Sequence, residues 1–133
     1  MVLLILLVLA LFVIQTLLPG RFREPALPGA PSNIAERLGN RDHMRPLTIL
    51  GQRASRALAN MHEAMPVFLA LALMNMIVAP QAPLAASGAL VFLIARALYV
   101  AVYLGGVAVV RTLLWVASWV GLIMMLVPLL ARV

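Results

Sequence analysis

Four long apolar stretches, at about residues 1–18, 52–79, 84–104 and 112–131, occupy most of this 133-residue chain and limit what it can become. The hydrocarbon layer of a bilayer is ~30 Å thick, and roughly 20 apolar helical residues cross it. Within that layer every backbone N–H and C=O must be paired inside the protein, which leaves helices or closed barrels. Runs of this length are read as helices. Only 11% of the residues are charged, against roughly 25% in a soluble domain. The expected fold class is an all-α membrane protein, a bundle of four transmembrane helices in one domain.

Punctuation residues set the boundaries. The first run ends at Pro19-Gly20. It has neither the positive start nor the small-residue cleavage site of a signal peptide, and is read as a span. Residues 19–51 form a polar connection broken by Pro19, Pro25, Pro28, Pro31 and Pro46. One helical turn is expected in it, with Asn33 as N-cap, Glu36 three residues later and Gly39 as terminator. Pro80-Gln-Ala-Pro83 turns the second span into the third, and Gly105-Gly106 turns the third into the fourth. Small residues at Gly88 and Gly121 allow close helix approach.

Charge supplies the orientation. The chain has ten Arg, no Lys and four acids, a net charge of +6. No aromatic-studded basic surface accompanies that charge, so nucleic acid is not an expected partner. Six Arg lie in the 19–51 and 105–111 connections and none in the 80–83 turn. The positive-inside rule then places the long loop in the cytoplasm and both termini on the periplasmic side of a cell inner membrane. With no Cys and two His, disulfides, cysteine nucleophiles and metal centres are not expected.

Ionisable groups within membrane helices are costly and point to function or to buried pairs. In the second span Arg53, Arg56, Asn60 and Glu63 fall within an arc of about 80° at ~100° per residue. Pro66 follows and cannot donate to the His62 carbonyl, so a kink or a free acceptor is expected there. In the third span Arg96, Tyr99 and Tyr103 fall within about 60°. A Glu63–Arg96 pair would account for those two residues alone. The whole set, richer in Arg than in acid and carrying an amide and two phenols, suits a small anionic ligand near the cytoplasmic interface, because Arg offers a planar fork to carboxylates. His62 projects from the opposite side of its helix and His43 adjoins Asp42 in the loop, so neither belongs to this set. The methionines are read as packing residues.

The run Arg56-Ala57, Asn60, Glu63, Pro66, Phe68 resembles the signature of the MAPEG family, membrane-associated proteins in eicosanoid and glutathione metabolism. Ala95-Arg96, Tyr99 and Tyr103-Leu104-Gly105, followed by Arg111, is similar to that family's second block. Asn40-Arg41-Asp42 and Arg111-Thr-Leu-Leu-Trp115 look like its short bacterial branch. The resemblance runs in order along essentially the whole chain. It implies a homotrimer of four-helix bundles with glutathione bound between neighbouring subunits near the cytoplasmic face. Arg56, Asn60, Glu63, Arg96, Tyr99 and Tyr103 would contact the tripeptide, with Arg53 added from its place on the same helix face, and Arg111 would stabilise the thiolate. Ala64 departs from the tyrosine that several eukaryotic members carry after the Glu, and the Tyr103-to-Arg111 spacing varies within the family.

Three functions compete. The first is glutathione transfer or peroxide reduction on lipophilic small molecules arriving from the membrane lipids. The second is a non-catalytic lipid-binding or accessory subunit on the same scaffold. The third is a small exporter, disfavoured because the first span contains no ionisable side chain.

Overall fold

The computed structural model of the protein describes residues 1–25, 28, 38, 39 and 44–132. Four helices traverse it in turn: α1 (Val2–Leu17), α2 (Ile49–Val78), α3 (Pro83–Gly105) and α4 (Ala108–Leu130), with a 3-10 turn at Pro19–Arg21 after α1. The helical turn expected from Asn33 and Glu36 lies outside the described residues. All four helices are long and apolar enough to cross a membrane. Their outer faces carry Leu3, Leu6, Ile14, Ile77, Leu113 and Ile123, each more than half exposed. This outward apolar surface belongs in lipid, and the chain is an integral multi-pass membrane bundle.

Local chemistry fixes the helix ends. The α2 start is earlier than the apolar pattern suggests, because the Thr48 hydroxyl accepts from the Gly51 N–H at 3.3 Å and caps it. The same Thr48 donates from both its N–H and its hydroxyl to the Phe22 carbonyl, each at 3.0 Å. The long connection thus returns to the foot of α1, where Arg23 and Leu47 form a single antiparallel bridge. Arg23 donates to the Arg45 carbonyl, and Arg45 donates to that of Glu24 at 3.2 Å. Pro83 opens α3 at a position where no N–H is needed. Gly106, in the left-handed region at φ 78°, closes α3. Consequently α4 starts at Ala108, and Arg111 sits in its first turn. Helix α2 runs unbroken through Pro66.

Helices α3 and α4 form the tightest pair. A Cβ on Gly88 would stand 2.5 Å from the Gly121 carbonyl oxygen, and one on Gly121 would stand 2.7 Å from that of Gly88. Only bare backbones approach so closely. Helix α2 packs against this hairpin through Met61, Met65 and Phe68, with Phe68 stacked on Phe92 at 4.7 Å between ring centroids. Val8 brings α1 into the same core. Antiparallel order gathers the long connection and the α3–α4 turn at one end, and the α2–α3 turn at the other.

Candidate functional site

The polar side chains of α2 and α3 are arranged along a line. Arg96, fully buried on α3, donates from Nη1 to the Asn60 Oδ1 on α2 at 2.5 Å. Burying a guanidinium requires such partners. Its carbon also lies 5.3 Å from the Phe92 ring centroid and 5.7 Å from that of Tyr99, within reach of cation–π attraction. Tyr99 meets Tyr103 edge to face at 5.4 Å, one helical turn nearer the end of α3. Arg111, across the α3–α4 turn, stands 4.8 Å over the Tyr103 ring. Asn60, Arg96, Tyr99, Tyr103 and Arg111 therefore form one continuous chain of contacts.

This line ends at an open pocket of about 280 Å³ lined by Tyr99, Tyr103, Arg111, Thr112 and Trp115. Its floor is α3 and its rim is the first two turns of α4. Thr112 donates to the Ala108 carbonyl at 3.1 Å, so its oxygen retains acceptor capacity toward the pocket. Thr112 and Trp115 were not among the residues that sequence spacing brought forward. Trp115 lies four positions beyond Arg111, and that helical spacing was the signal for it; Thr112, the next residue after Arg111, has no such signal. The start of α4 has no side-chain cap and no acid in its first turn. The dipole of that helix start and the Arg111 guanidinium together make this end of the pocket favourable to an anion.

The remaining expected residues sit elsewhere. Arg53 donates to the Leu104 carbonyl at 2.9 Å and covers Gly106, fastening α2 to the α3–α4 turn. Arg56 and Glu63 are exposed on α2, with no ion-pair partner among the described residues. Glu63 is therefore not bonded to Arg96, whose nearest α2 partner is Asn60. His62 packs edge to face on Phe12 of α1 at 5.0 Å, away from the pocket. Among the described residues no group of His, Cys or acids is placed to hold a metal.

No curated protein and no solved structure matches the chain significantly. A family model does, that of the MAPEG family, and it matches residues 1–131. The chain belongs to the MAPEG family.

Proposed function

We propose that the protein binds glutathione and uses it to conjugate or reduce lipophilic electrophiles, working as a homotrimer of the cell inner membrane. The observation that carries this reading is Arg111 at the mouth of a pocket walled by Tyr99, Tyr103, Thr112 and Trp115. These residues fit the tripeptide. Cation, phenols and hydroxyl supply the donors that its carboxylates and thiolate require, and Trp115 gives an apolar edge facing the lipid. Bound glutathione would supply the nucleophilic sulfur that this cysteine-free chain lacks. Arg111 and the start of α4 would hold that sulfur as its anion, since a neighbouring cation lowers a thiol pKa. Tyr99 and Tyr103 would orient the peptide, and Arg96, held by Asn60, would fix the tyrosines.

What one chain leaves unassembled supports association of copies. Arg56 and Glu63 face outward from α2 and take no part in the wall of the pocket on α3 and α4. Helix α2 is about 45 Å long at ~1.5 Å per residue, and Glu63 lies at its midpoint. A lone carboxylate at that depth costs roughly 2.5–3.5 kcal/mol against lipid. Packing the α2 face of one copy against the pocket of the next would bury both charges and place them on glutathione, with Glu63 accepting from its ammonium and Arg56 donating to a carboxylate. The positive-inside count puts this end of the bundle in the cytoplasm, where glutathione is abundant, and both termini in the periplasm.

Titration of glutathione into the purified protein, following heat and ultraviolet thiolate absorbance together, tests the proposal. Saturable binding with a rise in thiolate signal is expected. Absence of binding at millimolar glutathione would reject it and favour a lipid-binding or accessory role on the same scaffold.

A further inference from the structure

A second cavity lies at the far end of the bundle, where the α2–α3 turn meets the start of α1. It has a volume of about 230 Å³, and its wall includes Val2, Asn75, Met76, Pro80, Ala82 and Ala86. Asn75 is 1% exposed, one of few fully buried polar side chains in the bundle. Its amide nitrogen is satisfied twice, donating to the Leu71 carbonyl and to the Met125 carbonyl, each at 2.8 Å. Those two bonds fix the amide orientation. They leave Oδ1 as a buried acceptor with no donor among the described residues. A buried acceptor left unpaired costs about 1–3 kcal/mol, so such groups are normally satisfied.

The surrounding backbone narrows what can satisfy it. Helix α2 ends here with its carbonyls, and Pro80, four residues after Met76, brings no N–H to them. Helices α1 and α3 both begin here, capped by Met1 and Ala82 with no side-chain bond to their first N–H groups. At the α3 start Pro83 has no N–H, and the Ala85 and Ala86 N–H groups bond the Ala82 carbonyl. Among the described residues the free donors here therefore belong to the α1 start at Met1 and Val2, and the cavity joins one acceptor helix end and one acceptor side chain to that donor end. An ammonium ligand would suit Asn75 but oppose the α1 start and the Met1 α-amino group, and a carboxylate or phosphate would suit that start but oppose the amide oxygen. A hydroxyl both donates and accepts. The other side chains of the wall are apolar, and the unbranched side chains of Met1 and Met76 can rotate to admit a ligand to Oδ1.

We infer that this cavity is a binding site for the hydroxyl-bearing head of an uncharged amphiphile, of the glycerol monoester type, drawn from the membrane leaflet opposite the Arg111 pocket. The hydroxyl donates to Asn75 Oδ1 and accepts from the α1 start, while the acyl chain leaves along the apolar surface. Such a site is separate from the glutathione reading and stands whether or not that reading holds.

The test uses the full chain labelled with nitrogen-15 at its four asparagines, in micelles, titrated with 1-monooctanoylglycerol, methyl octanoate and octylamine. The Asn75 side-chain amide resonances should shift and saturate with the monoacylglycerol. Methyl octanoate, which has no hydroxyl, should bind about tenfold more weakly, the worth of one hydrogen bond. Ala86→Trp, at an exposed wall position that leaves the Asn75 bonds intact, should abolish the response while preserving the circular dichroism spectrum. Any of four results would overturn the inference: no shift with the monoacylglycerol, equal binding of the methyl ester, tighter binding of octylamine, or an undiminished response in folded Ala86→Trp.

Discussion

The Arg96 guanidinium on α3 donates to the side-chain carbonyl of Asn60 on α2, 36 residues earlier in the chain. Both residues lie inside membrane-spanning helices, and the bond joins the two polar stripes into one structure. Asn60→Leu should leave a buried cation without its acceptor and destabilise the protein by about 3 kcal/mol. Asn60→Asp, which keeps the acceptor and adds a countercharge, should hold wild-type stability. Unfolding by denaturant in micelles separates the two outcomes. Equal stability of Asn60→Leu and wild type would remove this bond from the account of the fold.

Two glycines of α3 should respond oppositely to the same substitution. Gly88→Ala puts a methyl group against the Gly121 backbone and the Met124 side chain, and should cost about 1–3 kcal/mol as α3 and α4 move apart. Gly105→Ala meets nothing within 4 Å and should leave stability unchanged or raise it by up to ~1 kcal/mol. Paired melting curves check both signs.

Arg111 is expected to act on the sulfur more than on affinity. In wild type the bound thiol should titrate below the ~8.5 of the free group, and in Arg111→Ala it should return toward that value. The thiolate absorbance at neutral pH and the turnover should then fall together while the binding heat persists. An unchanged thiolate signal would move the activating role to Arg53, the next cation at this end of the bundle.

Crosslinking in native membranes should plateau at three chains. Glu63→Ala should weaken glutathione binding. Arg56→Ala should do the same if its charge reaches the ligand from the neighbouring copy. A stable monomer or dimer across gentle detergents would contradict the assembly.

Topology is open to direct labelling, because the chain contains no cysteine. Single cysteines at Glu24 and Gln81, both exposed, should react from opposite faces of the membrane, the first from the cytoplasm. Reaction of both from the periplasm would reverse the orientation argument.

The spans were legible because lipid imposes one rule on every exposed helical position, so apolar run length alone identified α1 to α4. The Asn60, Arg96, Tyr99 and Tyr103 line was legible for a related reason: polar side chains at helical spacing in an apolar run have few places to go. Partner choice was not legible. Glu63 and Arg96 looked matched by charge, but Asn60, one turn nearer the α2 start, is the acceptor the packing presents. Arg53 looked like part of the ligand stripe, and one of its guanidinium N–H groups instead ties α2 to the Leu104 carbonyl. The chain pattern reports which face of a helix a residue occupies, and the crossing of two helices decides which residues on those faces meet. Asn75 escaped notice because a lone amide among Leu, Met and Ile gives no spacing signal.

The Arg111 pocket is built from a short piece of chain. Its five lining residues all fall between Tyr99 and Trp115, on either side of one tight turn. Nothing from α1 or α2 is needed for its walls, so it takes shape once the last two helices have inserted and paired, a local event that precedes slower encounters between distant parts of a chain. Nascent protein would thus carry the sulfur-binding end of the site before any subunit meets another. Under the proposed function, association of copies would complete a half-site that already exists, and assembly would be the step that switches on ligand capture.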